Sequence, residues 1–204
     1  TITYQAKPTE IQVRLTTIDP SNNATFNHYS LFMKNALAEW CYSHSNTDSF
    51  AGTIVSIATK HGVTISCAES CTGGGVAQQI TSIAGSSHVI DSSLITYSNQ
   101  SKHYWINVDQ DLLTKFGAVS EQVVNAMATQ LKNKTNTTLS LAISGIAGPG
   151  GGTKTKPVGL VYFALATPSE CKVISKQFKG DRSDIQRRAT TFGLLLIYNY
   201  LKRL

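Results

Sequence analysis

Apolar and polar residues follow two different periods in the first quarter of the chain. Residues Ile11–Leu15 alternate between apolar and polar side chains, which predicts a strand. Apolar residues spaced by three and four predict a helix over Phe26–Tyr42, and Asp19–Asn23 between them is rich in turn-forming residues. Because one strand and one helix cannot bury a core, we expect residues 1–47 to form a short N-terminal β-α appendage.

From residue 48 onward, after the polar stretch Ser45–Asp48, strand and helix patterns alternate. The predicted strands are Val63–Ala68, His88–Tyr97, Leu139–Ser144, Leu160–Thr167 and Lys172–Phe178, the last two forming a hairpin. The predicted helices run from a cap at Asp48 to Lys60 and over Gly74–Ile83, Gln100–Ile106, Ser120–Leu131 and Ser183–Leu204. This alternation predicts an α/β fold over residues 48–204, a three-layer α/β/α sandwich with a mostly parallel mixed sheet and one antiparallel strand from the hairpin.

Composition agrees with a folded domain and an appendage. The chain has 204 residues, of which 41% are hydrophobic and 15% charged, and its mean hydropathy is −0.08. These values exclude a disordered chain, and apolar runs such as Leu160–Ala166 are far shorter than the roughly 20 residues that a bilayer requires. The first ten residues lack a secretory signal pattern, so we expect a cytoplasmic protein.

Positive charge is concentrated near the carboxyl terminus. The net charge is +6, and residues 169–204 hold eight Lys or Arg side chains against three acidic ones. A local positive field attracts phosphate, either of a small nucleotide or of a nucleic acid. Few aromatic residues lie between these charges, which argues against a platform for single-stranded nucleic acid.

Two glycine-rich loops follow predicted strands, at Glu69–Gly75 and Ser144–Lys156. In open α/β sheets, ligands bind beyond the carboxyl ends of strands, where glycine lets backbone N–H groups approach an anion. Thr153 breaks both a P-loop and a dinucleotide fingerprint in the second loop, so these functions are disfavoured. The cysteine and histidine spacings do not match a metal site, so we expect free thiols and no metal or other cofactor.

Ser70 and Lys102 are the candidate nucleophile and base. Ser70 lies between a predicted strand and helix, where a serine hydroxyl either caps the helix or attacks a substrate near backbone N–H donors. No His–Asp pair is evident nearby, whereas Lys102 can act as a base if burial lowers its pKa. An exposed Lys102 and a Cys71 nucleophile are the alternatives.

The sequence around Ser70 and Lys102 resembles that of a known protein family. From about Asp48 to Leu204, roughly three quarters of the chain, it is similar to the C-terminal domain of the CinA (competence/damage-inducible) family. The resemblance rests on six blocks in the same order: Ala68–Gly74, Tyr97–Lys102, Gly117–Glu121, Ser144–Thr153, Lys156–Gly159 and Gly180–Arg182. The family is described as Ser/Lys amidohydrolases that deamidate nicotinamide mononucleotide (NMN), which implies Ser70 as nucleophile and Lys102 as base.

The resemblance also implies further site residues. Ser144 stands where the family has a small hydroxyl residue near the active site, and Arg182 or Arg187 would hold the substrate phosphate. Backbone N–H groups of Cys71–Gly74 or of Gly145–Gly152 would hold the oxyanion. The remaining predicted substrate-binding residues come from the same blocks: Thr72, Gly73, Gly74, Tyr97, Gly145 and Gly148.

Other interpretations stay open at this point. The chain could be a silent nucleotide- or nucleic-acid-binding module, or an amidase for another ribosyl nucleotide. Residues 1–48 resemble, more weakly, the end of the linker module of full-length CinA proteins, so the chain is either a piece of a longer protein or a short variant. Proteins of this family often form dimers, and the apolar face of Phe26–Tyr42 lacks cover, so we expect a homodimer that binds no membrane.

Overall fold

The computed structural model describes residues 1–7, 10–18 and 23–204, which divide into two compact units, Thr1–Thr53 and Ile54–Leu204. Apart from Asn23, the turn predicted at Asp19–Asn23 lies outside the described residues. Within the described residues, no helix is both long and apolar enough to cross a bilayer.

The first unit contains an antiparallel hairpin and a helix. Strand β1 (Ile2–Ala6) pairs with β2 (Ile11–Leu15), and α1 spans Asn23–Leu37. The prediction of β2 is confirmed, whereas β1 was not predicted and α1 ends before the predicted Tyr42. No residue of α1 is buried in this unit.

Helix α2 (Phe50–Lys60) begins in the first unit and continues into the second. The prediction of Asp48 as its cap is wrong. Ser49 Oγ accepts the Gly52 N–H (3.0 Å), and the Asp48 carboxylate accepts the Ser43 hydroxyl instead.

The second unit is built on a five-stranded sheet with the strand order β4-β3-β5-β6-β7. The strands are β3 (Ile65–Glu69), β4 (Ile90–Ile95), β5 (Leu139–Gly145), β6 (Leu160–Ala166) and β7 (Cys171–Gln177). The helices are α3 (Gly75–Thr81), α4 (Asn99–Ile106), α5 (Gln110–Phe116), α6 (Glu121–Thr135) and α7 (Arg182–Leu201). Helix α5 was not predicted because only Leu113 of its residues is buried, which leaves no apolar period to detect.

The strand directions confirm the predicted mixed sheet. Strands β4 and β5 both run parallel to β3, while β6 runs antiparallel to β5 and β7 antiparallel to β6. Strand β6 is therefore the one strand of this sheet that opposes the other four.

Side chains of β5 alternate between the two faces of the sheet, which establishes the layers. Ala142 belongs to the apolar cluster that α6 covers, and α6 also contacts α4 and α5. Leu141 and Ile143 point to the other face, against Gly193 of α7, and α3 packs on α7. The fold is thus an α/β/α sandwich, as predicted.

The carboxyl ends of β3, β4 and β5 lie at one edge because these strands are parallel. Ser70 follows β3 directly, Thr96 follows β4, and Ser144 is the penultimate residue of β5. The fold thereby brings three segments that are far apart in the sequence to one place.

Candidate active site

Ser70 lies in a turn that is hydrogen-bonded to both neighbouring strands. Its N–H donates to the Ile143 carbonyl (3.0 Å), and its carbonyl accepts the Gly73 N–H (3.0 Å). On the other side, the Thr96 N–H donates to the Glu69 carbonyl (2.8 Å). Gly74, in the left-handed region at φ 96°, is the N-cap of α3, so the helix-cap interpretation of Ser70 is wrong.

Lys102 is a fully buried side chain, and it reaches Ser70. Its Nζ donates to Ser70 Oγ (3.2 Å) and to the Thr96 carbonyl (2.7 Å). Helix α4, which carries Lys102, begins with a reciprocal capping box between Ser98 and Ser101. Burial lowers the pKa of Lys102 from 10.5 to about 8, because a charged ammonium loses its hydration there.

A cavity of about 260 Å³ opens beside this pair. Ser144 lies in its wall, and its hydroxyl donates to the carbonyl of Ala118 (2.7 Å), which also lines the cavity. Predicted site residues in the lining are Ser70, Lys102, Ser144, Tyr97, Gly145, Gly148 and Arg182, and the wall is completed by Cys71, Ala118, Val119, Ile146, Ala147, Gly150 and Gly151.

Arg182 joins two segments of the cavity wall. As the first residue of α7, it donates from Nη1 to the Gly148 carbonyl (2.8 Å) and from Nη2 to the Tyr97 hydroxyl (2.5 Å). Arg187, the other predicted phosphate ligand, instead pairs with Asp184 (2.5 Å) and does not line the cavity. Of the two arginines, Arg182 is therefore the one placed to meet a ligand here.

Thr72, Gly73 and Gly74, which were predicted to bind substrate, do not line the cavity. The Gly73 and Gly74 N–H groups donate to the Ser70 carbonyl and the Glu69 carboxylate, respectively. The Thr72 hydroxyl is buried and has no hydrogen-bond partner among the described residues. Two of the four N–H groups predicted for the oxyanion in this loop are thus already used within the protein.

Glu69, which was not among the predicted site residues, connects the end of β3 to the start of α3. Its buried carboxylate accepts hydrogen bonds from the N–H groups of Gly74 (3.1 Å), Val76 (3.1 Å) and Ala77 (2.9 Å). These N–H groups lie at the start of α3, where the helix itself provides no acceptor for them. An acidic residue shortly before a helix was the available signal.

Gln186 was also missed, and no local signal could have revealed it. From α7 its Nε2 donates to the Cys71 carbonyl (2.8 Å), across 115 positions of sequence. The contact therefore depends on how α7 packs beside the Ser70 turn.

Two glycines of the second loop are required by close packing. A Cβ on Gly145 would lie 2.6 Å from Val161 Cγ2, its partner on β6, and one on Gly148 would lie 2.6 Å from Val158 Cγ1. Gly148 also has a positive φ of 79°. The returning limb of this loop is tied to the end of α5, since Lys156 Nζ donates to the Phe116 carbonyl (2.6 Å).

The four cysteines are free thiols, and Cys71 lies in the cavity wall. Burial raises the pKa of the Cys71 thiol to about 12. Over residues 1–7, 10–18 and 23–204, no three His, Cys, Asp or Glu side chains gather as a metal-binding group.

Comparison with known proteins identifies the family. The family model described as "CinA C-terminal domain" matches residues 47–201, about three quarters of the chain. The chain belongs to the CinA family. The resemblance found in the sequence blocks is thereby confirmed, and a CinA-type function follows from it at the level of the family.

Several curated CinA-like proteins are similar to this chain. One from Syntrophotalea carbinolica is 41% identical over 157 residues, covering 77% of this chain but 38% of that protein. Another, from Prochlorococcus marinus strain MIT 9312, is 38% identical over 200 residues, covering 96% of this chain and 47% of that protein. This CinA-family chain thus spans less than half the length of these relatives.

Solved structures of the CinA family share the fold. A competence/damage-inducible protein from Agrobacterium tumefaciens has a TM-score of 0.72 and 36% identity, covering 74% of this chain and 92% of that chain. A CinA superfamily protein from Klebsiella pneumoniae has a TM-score of 0.73 and 28% identity, covering 78% and 100%. Both comparisons confirm the α/β fold.

Proposed function

We propose that this CinA-family chain hydrolyses the carboxamide of NMN to give nicotinic acid mononucleotide and ammonia. The observation that supports it most is the buried contact between Lys102 Nζ and Ser70 Oγ (3.2 Å) at the wall of a cavity. A serine becomes a nucleophile when an adjacent uncharged base accepts its proton. With a pKa of about 8, Lys102 is uncharged in a useful fraction of molecules near neutral pH.

In the first step the uncharged Lys102 amine keeps its hydrogen bond to the Thr96 carbonyl and accepts the proton of Ser70. Ser70 Oγ then forms a bond to the carboxamide carbon, and the carbonyl oxygen takes up negative charge. A backbone N–H that faces this oxygen typically contributes about 3 kcal/mol to transition-state stabilisation. The protonated Lys102 gives its proton to the amide nitrogen, the C–N bond breaks, and ammonia leaves.

In the second step water hydrolyses the ester on Ser70. Lys102 removes a proton from the water molecule, whose oxygen forms a bond to the acyl carbon. The bond between that carbon and Ser70 Oγ breaks, and the proton returns to Ser70. The product carboxylate leaves, and both side chains regain their starting states.

Arg182 supports a substrate that carries a phosphate. Its guanidinium uses two N–H groups on Gly148 and Tyr97 and has further donors for an oxyanion. The positive pyridinium ring of NMN withdraws electrons from the attached carboxamide and so makes its carbon easier to attack. Substrate choice among ribosyl nucleotides is tested by comparing NMN with its riboside and with other nucleotide amides.

Cys71 is a poor alternative nucleophile. The reactive form of cysteine is the thiolate, and a pKa of about 12 keeps the Cys71 thiol protonated at neutral pH. Alkylation of Cys71 that abolished turnover, in a protein whose Ser70→Ala variant stayed active, would reverse this assignment.

The test is ammonia release from NMN by Ser70→Ala and Lys102→Ala variants. We expect each to lose at least about a thousandfold in kcat, because nucleophile and base act as a unit. Ser169→Ala and Lys172→Ala are matched controls, since both residues lie in or beside the β6–β7 turn at the opposite edge of the sheet. Near-wild-type turnover in both site variants would contradict the Ser/Lys assignment.

The competing function, a silent binding module, predicts a different result. It requires that the wild-type chain release no ammonia from NMN and bind DNA with a steep dependence on salt concentration. Measuring both properties on one preparation separates the two functions.

A further inference from the structure

The turn that carries Ser70 is held in place from outside by one side chain of α7. Within the turn, the Ser70 carbonyl accepts the Gly73 N–H, and the Thr72 carbonyl accepts the Gly75 N–H (3.2 Å). The Cys71 carbonyl is instead bound by Gln186 Nε2 (2.8 Å). Gln186 is half-buried and lies one helical turn after Arg182.

The backbone N–H groups around Ser70 differ in whether they are already bound. Those of Gly74, Val76 and Ala77 donate to the Glu69 carboxylate. Those of Ser70, Gly73 and Gly75 donate to backbone carbonyls. The N–H groups of Cys71 and Thr72 donate to no other residue that the structure describes; of the two residues, Cys71 lies in the cavity wall and Thr72 does not.

Peptide planarity links Gln186 to these two donors. In a trans peptide the C=O and N–H groups lie in one plane and point in opposite directions. Because Gln186 binds the Cys71 carbonyl, it determines the direction of the Thr72 N–H of the same peptide. The Gly73 N–H binds the Ser70 carbonyl, which belongs to the same peptide as the Cys71 N–H. Cys71 is therefore held at both of its peptides, by Gly73 on one side and by Gln186 on the other.

We propose that Gln186 is a positioning residue that holds Cys71 in place, so that the Cys71 backbone N–H faces the oxygen of the reacting carbonyl. The Cys71 N–H, in the cavity wall, is the donor that stabilises the oxyanion, and Gln186 touches neither substrate nor reacting atom. The inference rests on the proposed function only in that Ser70 attacks a carbonyl; it does not depend on which amide is the substrate.

The test replaces Gln186 by Met, which has nearly the same size but no N–H donor, and by Lys, which retains one. For Gln186→Met we expect kcat for NMN to fall on the order of 10- to 100-fold. A misdirected N–H donor stabilises the negative charge of the transition state less well, whereas it hardly changes the binding of the neutral substrate. KM should stay within about twofold, and Gln186→Lys should recover most of the lost kcat. Arg188→Met, an exposed change on the same helix, is the control.

A second measurement is independent of the substrate. A small fluorophosphonate reacts with an activated serine: the Ser70 Oγ–P bond forms, fluoride leaves, and Lys102 takes the proton. Its labelling rate, followed by mass spectrometry, should fall in Gln186→Met and not in Arg188→Met. Unchanged kcat and labelling in Gln186→Met would overturn the inference. A loss of kcat/KM that came entirely from a rise in KM would overturn it as well.

The two readouts also separate this inference from the proposed function. If the wild-type chain is labelled at Ser70 but releases no ammonia from NMN, the proposed substrate is wrong, and the labelling rates still decide the role of Gln186. If the wild-type chain shows neither labelling nor turnover, both proposals fail.

Discussion

At the scale of single residues, the surroundings of Lys102 predict how activity depends on pH. In the proposed mechanism the uncharged amine is the active form, and its pKa is about 8, so kcat/KM for NMN should rise about tenfold per pH unit below 8 and level off above it. A pH profile of ammonia release from pH 6 to pH 10 measures this. Lys102→Arg should stay inactive throughout, because a guanidinium does not lose its proton in this range. A flat wild-type profile would contradict the role of Lys102 as base.

Lys102 also lowers the free energy of unfolding at pH values below its own pKa. Between pH 8 and pH 10.5 the unfolded chain holds a proton on Lys102 that the folded chain has lost, so the free energy of unfolding rises with pH in this window. The rise amounts to at most between about 3 and 4 kcal/mol, since one pKa unit corresponds to about 1.4 kcal/mol.

Lys102→Met removes the titrating group and should remove this rise. Urea unfolding at pH 7.5 and at pH 10 compares the two proteins. Between these pH values the free energy of unfolding of the wild type should rise relative to that of Lys102→Met. An equal change in both proteins would show that Lys102 does not titrate in this window.

At the scale of elements, the junction of β5 and the second glycine-rich loop requires glycine for packing. A methyl group on Gly145 would lie 2.6 Å from Val161 Cγ2 and 2.8 Å from the Leu160 carbonyl. Gly145→Ala should therefore lower the free energy of unfolding by about 1–3 kcal/mol, the usual cost of overpacking. Gly150→Ala in the same loop is the matched control, because nothing lies within 4 Å of the added carbon. Chemical denaturation of both variants measures the difference, and equal stabilities would contradict the packing argument.

Elements with a clear period or cap could be predicted from the sequence. Strand β2 and the helices α4 and α6 were found because alternation, apolar spacing and the Ser120 cap are local signals. Strand β1 was missed, and all five of its residues are exposed in the first unit. Because no side chain of β1 is buried there, its sequence shows no alternation between buried apolar and exposed polar positions that would predict a strand.

The candidate site was predictable where chemistry and local sequence coincide. Ser70 and Lys102 were chosen from a glycine-rich turn and from the need for a base, and the resemblance to the CinA family added Ser144 and Arg182. Glu69 and Gln186 act through side-chain contacts with backbone, and that of Gln186 depends on tertiary packing. For Gln186, residue type and local sequence carry no such information.

At the scale of the whole molecule, we propose that residues 48–204 form the catalytic domain. The family match begins at residue 47, and solved CinA-family chains of nearly this extent have the same fold. A protein of residues 48–204 should therefore fold and keep kcat for NMN within about twofold of the full chain. Circular dichroism and ammonia release test this, and loss of both would place part of the domain upstream.

For the first unit, we propose that it mediates self-association of the chain. Helix α1 has exposed apolar residues at Tyr29, Leu31 and Phe32 and none that is buried in its unit. We expect the full chain to form a dimer and the protein of residues 48–204 to have a lower mass. Light scattering coupled to size-exclusion chromatography measures both, and a full chain of 22.0 kDa in solution would contradict the dimer.

The place of β3 in the sheet connects catalysis with unfolding. All five residues of β3 are buried, and the strand is paired on both sides. Amides in such a strand exchange with deuterium only when the sheet opens cooperatively, whereas edge segments open on their own. Ser70, the proposed nucleophile, follows this strand directly, so we expect its turn to hold until global melting: on heating, deuterium uptake by β3 and the calorimetric transition should coincide.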